Sequence, residues 1–208
     1  MADESLIAKI FPRLEESQLH QLVEYSKLLG EWNEKINLVS RKDIQNVIGH
    51  HIIPSLSIST VGNFTKGEDV LDIGTGGGLP GIPLAIVCRE TSFTLMDSVG
   101  KKIMAVNDML RRLNLQNVKT VNIRAEDFFD KFDKIVGRAV TNLADFLKYS
   151  KKLLKPKGKI FYLKGGDYGN DLGLPNGWNS HNVAEITGIV AEITGIRELE
   201  DKVILEIF

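Results

Sequence analysis

A cluster of glycines is the part of the sequence best suited to bind a ligand. Four glycines fall between positions 74 and 78, after an apolar β-branched run and before a helical segment. Glycine adopts positive φ and lets the backbone approach a ligand closely, and the first turn of a following helix offers free N–H groups. The stretch 70–83, VLDIGTGGGLPGIP, therefore predicts a nucleotide-type site at a strand-to-helix turn.

Acidic residues around this loop bear on which ligand it binds. Gly76, Gly78 and Gly81 match the G-x-G-x-x-G pattern of dinucleotide sites, which alone is a weak signal. Asp72 precedes the first glycine, where a carboxylate would repel a pyrophosphate but attract the ammonium group of an amino-acid-bearing nucleoside. Asp97 ends the second predicted strand and is placed to accept hydrogen bonds from ribose hydroxyls. These residues favour S-adenosylmethionine and leave a dinucleotide such as NAD as the alternative.

Strands that alternate with helices must position this loop. Beyond the polar break at 63–67, this alternation is typical of a mostly parallel sheet covered by helices on both faces. We predict a doubly wound α/β domain over residues 63–208, a helical N-terminal extension over 1–62 packed on it, and a C-terminal antiparallel strand pair. The predicted strands are 70–73, 93–96, 120–123, 134–136, 160–163 and 202–208, and the predicted helices of the domain are 83–87, 101–113 and 142–154.

The N-terminal extension shows the spacing of amphipathic helices. Ser40 and Asp43 fit a capping box that opens a second long helix, and Pro54 should kink that helix or end it early. His50 and His51 would point about 100° apart on a helix, so they should not chelate an ion together. His51 lies on the apolar face and is interpreted as a packed, hydrogen-bonded core histidine.

Composition excludes several classes of protein. The one cysteine, Cys88, excludes a disulfide framework and a Cys-based zinc cluster, and its apolar neighbours indicate a buried structural thiol. The sequence shows no signal peptide and no apolar run of eighteen residues, so we expect a cytoplasmic monomer without a membrane span. With 26 Lys and Arg against 27 Asp and Glu, the net charge of -1 excludes a polycation but not a local basic face.

Lysines are concentrated in one stretch of this nearly neutral chain. Seven lysines and no acidic residue occur between positions 148 and 164, and a second basic group begins at Lys101. Such a set is either a solvated face or a contact surface for RNA phosphates. The lysines that we expect at an RNA interface are Lys101, Lys102, Lys151, Lys152, Lys155, Lys157 and Lys164.

The order of several motifs resembles a known family. The chain carries Trp32-Asn33 and then the motifs HIIPS at 51–55, DIGTGGGLPGIPLAIV at 72–87, DSVGKK at 97–102, RAE at 124–126, GRA at 137–139 and LKG at 163–165. This order closely resembles the bacterial RsmG family, formerly glucose-inhibited division protein B, whose members are 16S ribosomal RNA guanine-N7 methyltransferases. The glycine block and the DSxGK-type segment are its specific parts.

The resemblance implies a class I S-adenosylmethionine-dependent methyltransferase fold that acts on 16S ribosomal RNA of the 30S subunit without a metal. Ala125 and Glu126 would lie at the adenosine end of the cofactor. Arg138 and Lys164 are the catalytic candidates, with positioning roles and no proton transfer. The cofactor-binding set is Asp72, Gly74, Gly76, Gly78, Leu79, Asp97, Ala125, Glu126 and Arg138. Pro54 is a departure, because many members carry an aspartate there.

The residues also limit the methyl acceptor. Methylation at carbon 5 of a pyrimidine needs a thiolate nucleophile, and Cys88 does not suit that role. The sequence at 137–139 lacks the Asn/Asp-Pro-Pro-aromatic tetrapeptide typical of exocyclic amino methyltransferases. Guanine N7 carries an in-plane lone pair and needs no general base. An NAD-dependent oxidoreductase, a non-catalytic RNA-binding or ribosome-assembly protein with a vestigial pocket, and a small-molecule methyltransferase remain as alternatives.

The C-terminal part carries a loop and an exact repeat. Residues 165–182 are rich in glycine, asparagine and aspartate and read as a long surface loop. VAEITGI at 183–189 recurs at 190–196. A seven-residue shift moves equivalent strand residues to opposite faces, so we predict that one copy is a strand and the other part of a connection.

Overall fold

One mixed sheet forms the centre of the protein. The computed structural model describes residues 2–40, 42–138, 143–165, 178–182 and 202–208. The strands in these ranges are β1 (Asp69–Ile73), β2 (Ser92–Asp97), β3 (Val118–Asn122), β4 (Phe132–Arg138), β5 (Leu154–Gly165), β6 (Ser180–Asn182) and β7 (Lys202–Ile207). Their order in the sheet is β3-β2-β1-β4-β5-β7-β6. The pairs among β1 to β5 are parallel, and β7 is antiparallel to both β5 and β6.

Helices cover both faces of this sheet. They are α1 (Ala2–Ile10), α2 (Glu16–Asn33), α3 (Ile53–Gly62), α4 (Gly81–Val87), α5 (Gly100–Arg112) and α6 (Leu143–Leu153). Helices α2 to α5 bury apolar side chains in a large core cluster on one face, together with Val136 of β4. Helix α6 does so in a smaller cluster on the other face, together with Ile73 of β1 and Met96 of β2. Each face of the sheet is named after the core cluster that covers it, the large or the smaller one.

The sheet topology defines where a ligand can bind. The strand order reverses between β1 and β4, which lie side by side at the centre. In open α/β sheets, ligands bind in the crevice at the carboxyl ends of the strands beside such a reversal. The glycine-rich stretch follows β1 directly, so it lies at this crevice.

The predicted doubly wound α/β fold and its antiparallel C-terminal strands are confirmed. Each predicted strand overlaps a strand of the structure, and the runs in β1, β2, β4 and β5 are buried in the sheet, whereas β3 is only partly buried. The prediction of surface loop for all of 165–182 is wrong at its end, because β6 pairs with β7 there. The tandem repeat at 183–196 lies outside the described residues. The domain boundary at residue 63 stays a prediction.

The prediction of one long helix after Ser40 is wrong. The hydroxyl of Ser40 does accept the Asp43 backbone N–H at 3.1 Å, but the turn that follows is a 3-10 turn, Asp43–Asn46. A π-helical turn, Ile48–Ile52, comes next and leads into α3. Pro54 lies in the first turn of α3, directly after the π-helical turn. No helix of the described residues is long and apolar enough to cross a membrane.

Candidate active site

The glycine loop combines a strained backbone with close packing. Gly74, Gly76 and Gly78 have φ values of 69°, 58° and 94°, which favour glycine. A Cβ on Gly78 would lie 2.4 Å from the side chain of Ile82, whereas a Cβ on Gly76 would meet nothing closer than 3.9 Å. Gly78 therefore serves the packing of the loop on α4, whereas at Gly76 a Cβ would make ordinary van der Waals contacts and only the positive φ requires glycine.

Asp72 holds the glycine loop in place by accepting hydrogen bonds from the loop and from the start of α4. The side chain is fully buried, and its Oδ2 accepts hydrogen bonds from Thr75 Oγ1 at 2.7 Å and from the Gly81 backbone N–H at 2.9 Å. Its Oδ1 has no hydrogen-bond partner among the described residues. Burial raises the pKa of Asp72 to about 7, although the hydrogen bonds from Thr75 and Gly81 and the charge of Arg138 act in the opposite direction.

The expectation of free N–H groups in the first turn of α4 is wrong. The Gly81 N–H is bound to Asp72, and the Ile82 N–H donates to the Gly78 carbonyl at 2.7 Å. Pro83 has no N–H to offer. A pyrophosphate at this helix end would have to displace a buried carboxylate, so the arrangement disfavours a dinucleotide.

Replacing Asp72 with asparagine is expected to change the pH dependence of stability. The raised pKa means that the folded wild type takes up a proton below about pH 7. The cost of burying the ionised carboxyl is therefore present above that pH and disappears as the pH falls towards the unfolded value, about 4. Asp72→Asn has no such charge, so its advantage in free energy of unfolding should grow by up to about 1.4 kcal/mol per pH unit between about pH 4 and pH 7.

Urea unfolding of both proteins over this pH range measures the difference. The exposed Asp127→Asn serves as the control for a lost aspartate at the same edge of the sheet. A difference between Asp72→Asn and wild type that stays constant with pH would contradict the expectation.

A cavity of about 440 Å³ opens at the carboxyl ends of β1, β2 and β3. Its volume lies within the range of small-molecule sites. The lining residues come from these strand ends, from the turns after them and from α6: Ile73, Gly74, Met96, Asp97, Ser98, Val99, Lys102, Ile123, Arg124, Ala125, Glu126, Phe146 and Tyr149. Four of the predicted cofactor-binding residues are among them, namely Gly74, Asp97, Ala125 and Glu126.

Asp97 links the glycine loop to this cavity. Its Oδ2 accepts the Gly76 N–H at 3.0 Å, and its Oδ1 accepts the Val99 N–H at 2.9 Å. Each carboxylate oxygen has a second lone pair, so both can still accept a hydroxyl group. Lys102 Nζ lies 3.8 Å from Oδ2. The residue is thus held in place by the backbone and remains available to a ribose.

Apolar side chains form the rest of the cavity wall. Met96, Ile123 and Ala125 come from the strand ends, and Phe146 and Tyr149 come from α6. The sequence analysis missed both aromatic residues, although their spacing of three on a predicted helix was the available signal. A wall of this kind suits a planar base, and the carboxylate of Asp97 suits the sugar beside it. The residues of the cavity therefore fit an adenosine group.

The cavity lacks five of the predicted cofactor-binding residues. Asp72 and Leu79 are buried, at 0% and 1% exposure, and neither lines it. Gly76 reaches it indirectly through Asp97, and Gly78 faces Ile82. Arg138 is the fifth and is described next. A direct contact of these residues with a cofactor stays a prediction.

Arg138 lies beside the glycine loop, and its side chain is on the face of the sheet that carries the large core cluster. Asp72 pairs with Val136, so Gly74 and Arg138 leave the sheet as neighbours. Side chains alternate along a strand, which places Arg138 on the face of Val136 and the large core cluster. Its Nη1 lies 2.6 Å from Nδ1 of His51. Burial lowers the pKa of Arg138.

The side chains of Lys164 and Arg138 lie on opposite faces of the sheet. Leu163 of β5 is the residue that pairs with Arg138, so Lys164 lies one position further. It shares a face with Ile160 and Tyr162 of the smaller core cluster, opposite to Arg138. The two catalytic candidates therefore lie on opposite faces of the sheet, and their roles in the reaction stay predictions.

The sequence comparisons identify the family. The family model GidB, rRNA small subunit methyltransferase G, matches residues 18–183. The chain belongs to this family. Ribosomal RNA small subunit methyltransferase G of Flavobacterium johnsoniae is 47% identical over 172 residues, which are 80% of this chain and 82% of that protein. The protein of the same name from Chlorobium luteolum is 42% identical, over 91% of this chain and 84% of its own length. The resemblance seen in the motifs is thus confirmed.

Solved structures show the same fold at low identity. The crystal structure of coclaurine N-methyltransferase bound to N-methylheliamine and SAH superposes with a TM-score of 0.59. The identity is 11%, and the match covers 99% of this chain and 92% of that one. This likeness assigns the GidB-family chain to the methyltransferase fold.

The predicted RNA-contact lysines of this GidB-family chain divide between two edges of the sheet. Lys155 contacts Asp133 at 2.8 Å and Asp69 at 3.3 Å, both at the amino ends of strands. Lys157 follows in the same part of β5, and Lys151 and Lys152 lie in the last turn of α6 beside the start of β4. These four lie roughly 15 Å or more from the cavity edge, the length of a five-residue strand. Lys101, Lys102 and Lys164 lie at the carboxyl edge.

Lys102 has a different place from the one expected. It lines the cavity and faces Asp97 there, so its position is that of a ligand-site residue.

Burial raises the pKa of Cys88 to about 12, which keeps the thiol protonated and agrees with its interpretation as structural. Among the residues that the structure describes, no group of three His, Cys, Asp or Glu side chains could hold a metal ion.

Proposed function

We propose that this GidB-family chain transfers a methyl group from S-adenosylmethionine to N7 of a guanine in 16S ribosomal RNA of the small subunit. The observation that carries the proposal is the cavity beside Asp97, which fits an adenosine group, in a chain of the rRNA small subunit methyltransferase G family. Such a substrate assigns the reaction to the cytoplasm.

Two parts of the site would hold the cofactor. Asp97 would accept the ribose hydroxyls, and Met96, Ile123 and Ala125 would contact the base. The negative charge of Asp72 below the loop favours an ammonium group above it, and a bound ammonium would in turn keep that carboxyl ionised. When bound, S-adenosylmethionine supplies an electrophilic methyl group on a positively charged sulfur.

The residues of the chain would act by positioning. Guanine N7 has a free lone pair, so no residue has to remove a proton before the transfer. Holding N7, the methyl carbon and sulfur in line and excluding water supplies the rate enhancement. Positive charge develops on the guanine, so a cation in contact with N7 would slow the reaction. Arg138 would therefore bind a phosphate or the guanine O6.

Two alternatives fit the site less well. An NAD-dependent oxidoreductase would need a pyrophosphate at the N-terminus of α4, where Asp72 already binds the Gly81 N–H. A non-catalytic RNA-binding protein would not need a cavity with an Asp97 carboxylate directed to it.

A methyl-transfer assay tests the proposal. The protein is incubated with labelled S-adenosylmethionine and, separately, with undermethylated 30S subunits and naked 16S RNA. We expect label in the RNA and strand scission at one 7-methylguanosine, together with binding of S-adenosylhomocysteine and none of NAD. Cofactor binding without transfer to either RNA would contradict the proposed function.

Charge reversal at the two edges of the sheet tests where RNA binds. Lys101→Glu and Lys164→Glu should each weaken RNA binding, because each removes a phosphate contact. The plot of the logarithm of the RNA association constant against the logarithm of the salt concentration should also become less steep, by about one unit of slope or more. Lys151→Glu and Lys152→Glu are matched controls at the opposite edge and should have smaller effects. Filter binding over a series of salt concentrations gives the slopes. Equal losses at both edges would contradict a preference of the RNA for the carboxyl edge.

A further inference from the structure

Three side chains from separate elements meet behind the glycine loop. Arg138 ends β4, His51 lies in the π-helical turn, and Asp43 begins the 3-10 turn. Arg138 Nη1 lies 2.6 Å from His51 Nδ1, and His51 Nε2 lies 3.8 Å from Asp43 Oδ2. The sequence interpretation of His51 as a core histidine did not foresee this arrangement.

The contact with Arg138 determines the protonation state of His51. A guanidinium group has five N–H donors and no acceptor, so the hydrogen bond requires that His51 Nδ1 is the acceptor. The ring is therefore neutral, with its proton on Nε2, the atom that faces Asp43. Protonation of Nδ1 would place two donors and two positive charges in contact.

Asp43 provides the negative charge in the group that it forms with His51 and Arg138. Its Oδ2 accepts a hydrogen bond from Ser40 Oγ at 2.7 Å, and its Oδ1 lies 3.2 Å from His50 Nδ1. The hydrogen bond from Ser40 lowers the pKa of Asp43, and the hydrogen bond from His50 lowers it further. Both adjacent histidines of the π-helical turn approach Asp43, His50 through Oδ1 and His51 through Oδ2.

Other titratable groups surround Arg138 on the same face. Asp72 of β1 and Tyr25 of α2 both act on its charge. Tyr25 Oη donates to the Gly77 carbonyl at 2.9 Å, and burial raises the pKa of Tyr25. Within the part of the chain that the structure describes, the groups that a pH dependence of this cluster must consider are Asp43, His50, His51, Asp72 and Tyr25.

We propose that His51, whose ring lies beside the negative charge of Asp43, is a positioning residue that fixes the Arg138 guanidinium for methyl transfer while its ring is neutral and releases it when the ring is protonated. The inference rests on the proposed function and adds a residue and a pH-dependent step to it. His51 touches neither substrate nor cofactor in this scheme and acts through Arg138.

Two substitutions of His51 separate hydrogen bonding from protonation. His51→Ala removes the acceptor and should lower kcat for methyl transfer about tenfold at pH 8. His51→Asn places an amide oxygen near the position of Nδ1 and should recover most of that loss. Because asparagine does not titrate, His51→Asn should also lack the fall in kcat that the wild type shows at low pH. His20→Asn, a matched change at an exposed histidine of α2, should retain the wild-type pH profile.

Asp43→Asn tests the third member with a directional result. The negative charge of Asp43 favours the protonated form of His51, so removing it should move the low-pH fall in kcat to lower pH by about half a unit or more. A shift in the opposite direction would overturn the role of Asp43. A low-pH fall that persists in His51→Asn would assign the titration to Asp72 and overturn the release step.

Nitrogen-15 NMR of the histidine rings gives a readout that is independent of activity. The signals of His51 are identified by their absence in His51→Asn, and at pH 8 we expect an unprotonated Nδ1 that accepts a hydrogen bond. A doubly protonated ring at that pH would overturn the inference. Wild-type protein that methylates no RNA would overturn the proposed function, whereas transfer that His51→Ala leaves at the wild-type rate would overturn this inference alone.

Discussion

Asp97→Asn is expected to weaken the binding of S-adenosylmethionine by about 100-fold or more. The carboxylate accepts backbone N–H groups from Gly76 and Val99 and keeps lone pairs for the ribose. An amide nitrogen at either oxygen position would face a donor with another donor. The loss of two hydrogen bonds to a charged group amounts to about 3 kcal/mol, which corresponds to this change in Kd. Calorimetric titration with S-adenosylhomocysteine measures the effect.

The control for this substitution is Asp127→Asn. Asp127 is exposed, lies in the turn after β3 at the same edge of the sheet, and does not line the cavity. Its affinity for S-adenosylhomocysteine should equal that of the wild type. A tenfold or smaller effect of Asp97→Asn would mean that the ribose binds elsewhere.

Arg138→Ala is expected to slow methyl transfer by about 100-fold, since it removes a charged group that orients the reactants and leaves His51 Nδ1 without its donor. Single-turnover transfer to the RNA substrate measures the chemical step. Lysine has a single ammonium group in place of the planar guanidinium fork, so Arg138→Lys should recover little of the lost rate.

Arg89→Ala is the matched control for the loss of an arginine. Its guanidinium contacts Glu15 at 3.0 Å near the start of α2 and has no place in the cavity. This variant should transfer methyl groups at the wild-type rate. If Arg138→Ala left both transfer and cofactor affinity unchanged, Arg138 would have no role in the site.

Local patterns in the sequence were sufficient to predict the fold. Each buried strand is a short β-branched run, and each helix of the domain has apolar residues at helical spacing. The turn after β1 is marked by glycines whose positive φ few other residues adopt. The carboxyl ends of parallel strands share one edge, which brings Asp97 and Ala125 into one cavity. The place of Asp97 was predicted from its strand, and that of Ala125 was implied by the family resemblance.

Features that depend on distant contacts were not predictable. The pairing of Asp72 with the N-terminus of α4 depends on how the loop folds back, and the sequence spacing alone suggested free N–H groups instead. The contact of His51 with Arg138 joins residues that are 87 positions apart. It also needs a π-helical turn, for which the capping motif at Ser40 gave no signal.

The lysines show a further limit of sequence patterns. The stretch from 148 to 164 is continuous in the sequence, but α6 ends at the amino edge of the sheet and β5 then crosses to the carboxyl edge. One run of like charge is therefore distributed over both ends of the domain. The sequence showed the charge, and the direction of the chain determined which residues lie near the site.

The buried carboxylate of Asp72 has a consequence for competition inside a cell. Glycine-rich turns of this shape commonly bind phosphates, and ATP and other nucleotides are abundant wherever ribosomes are made. Here the position that a phosphate would take is already occupied by the carboxyl group of Asp72, which accepts hydrogen bonds from Gly81 and Thr75 and is negatively charged above about pH 7. A triphosphate shares the adenosine group of the methyl donor but would meet this like charge. We therefore expect Asp72 to favour the methyl donor over the more common adenine nucleotides.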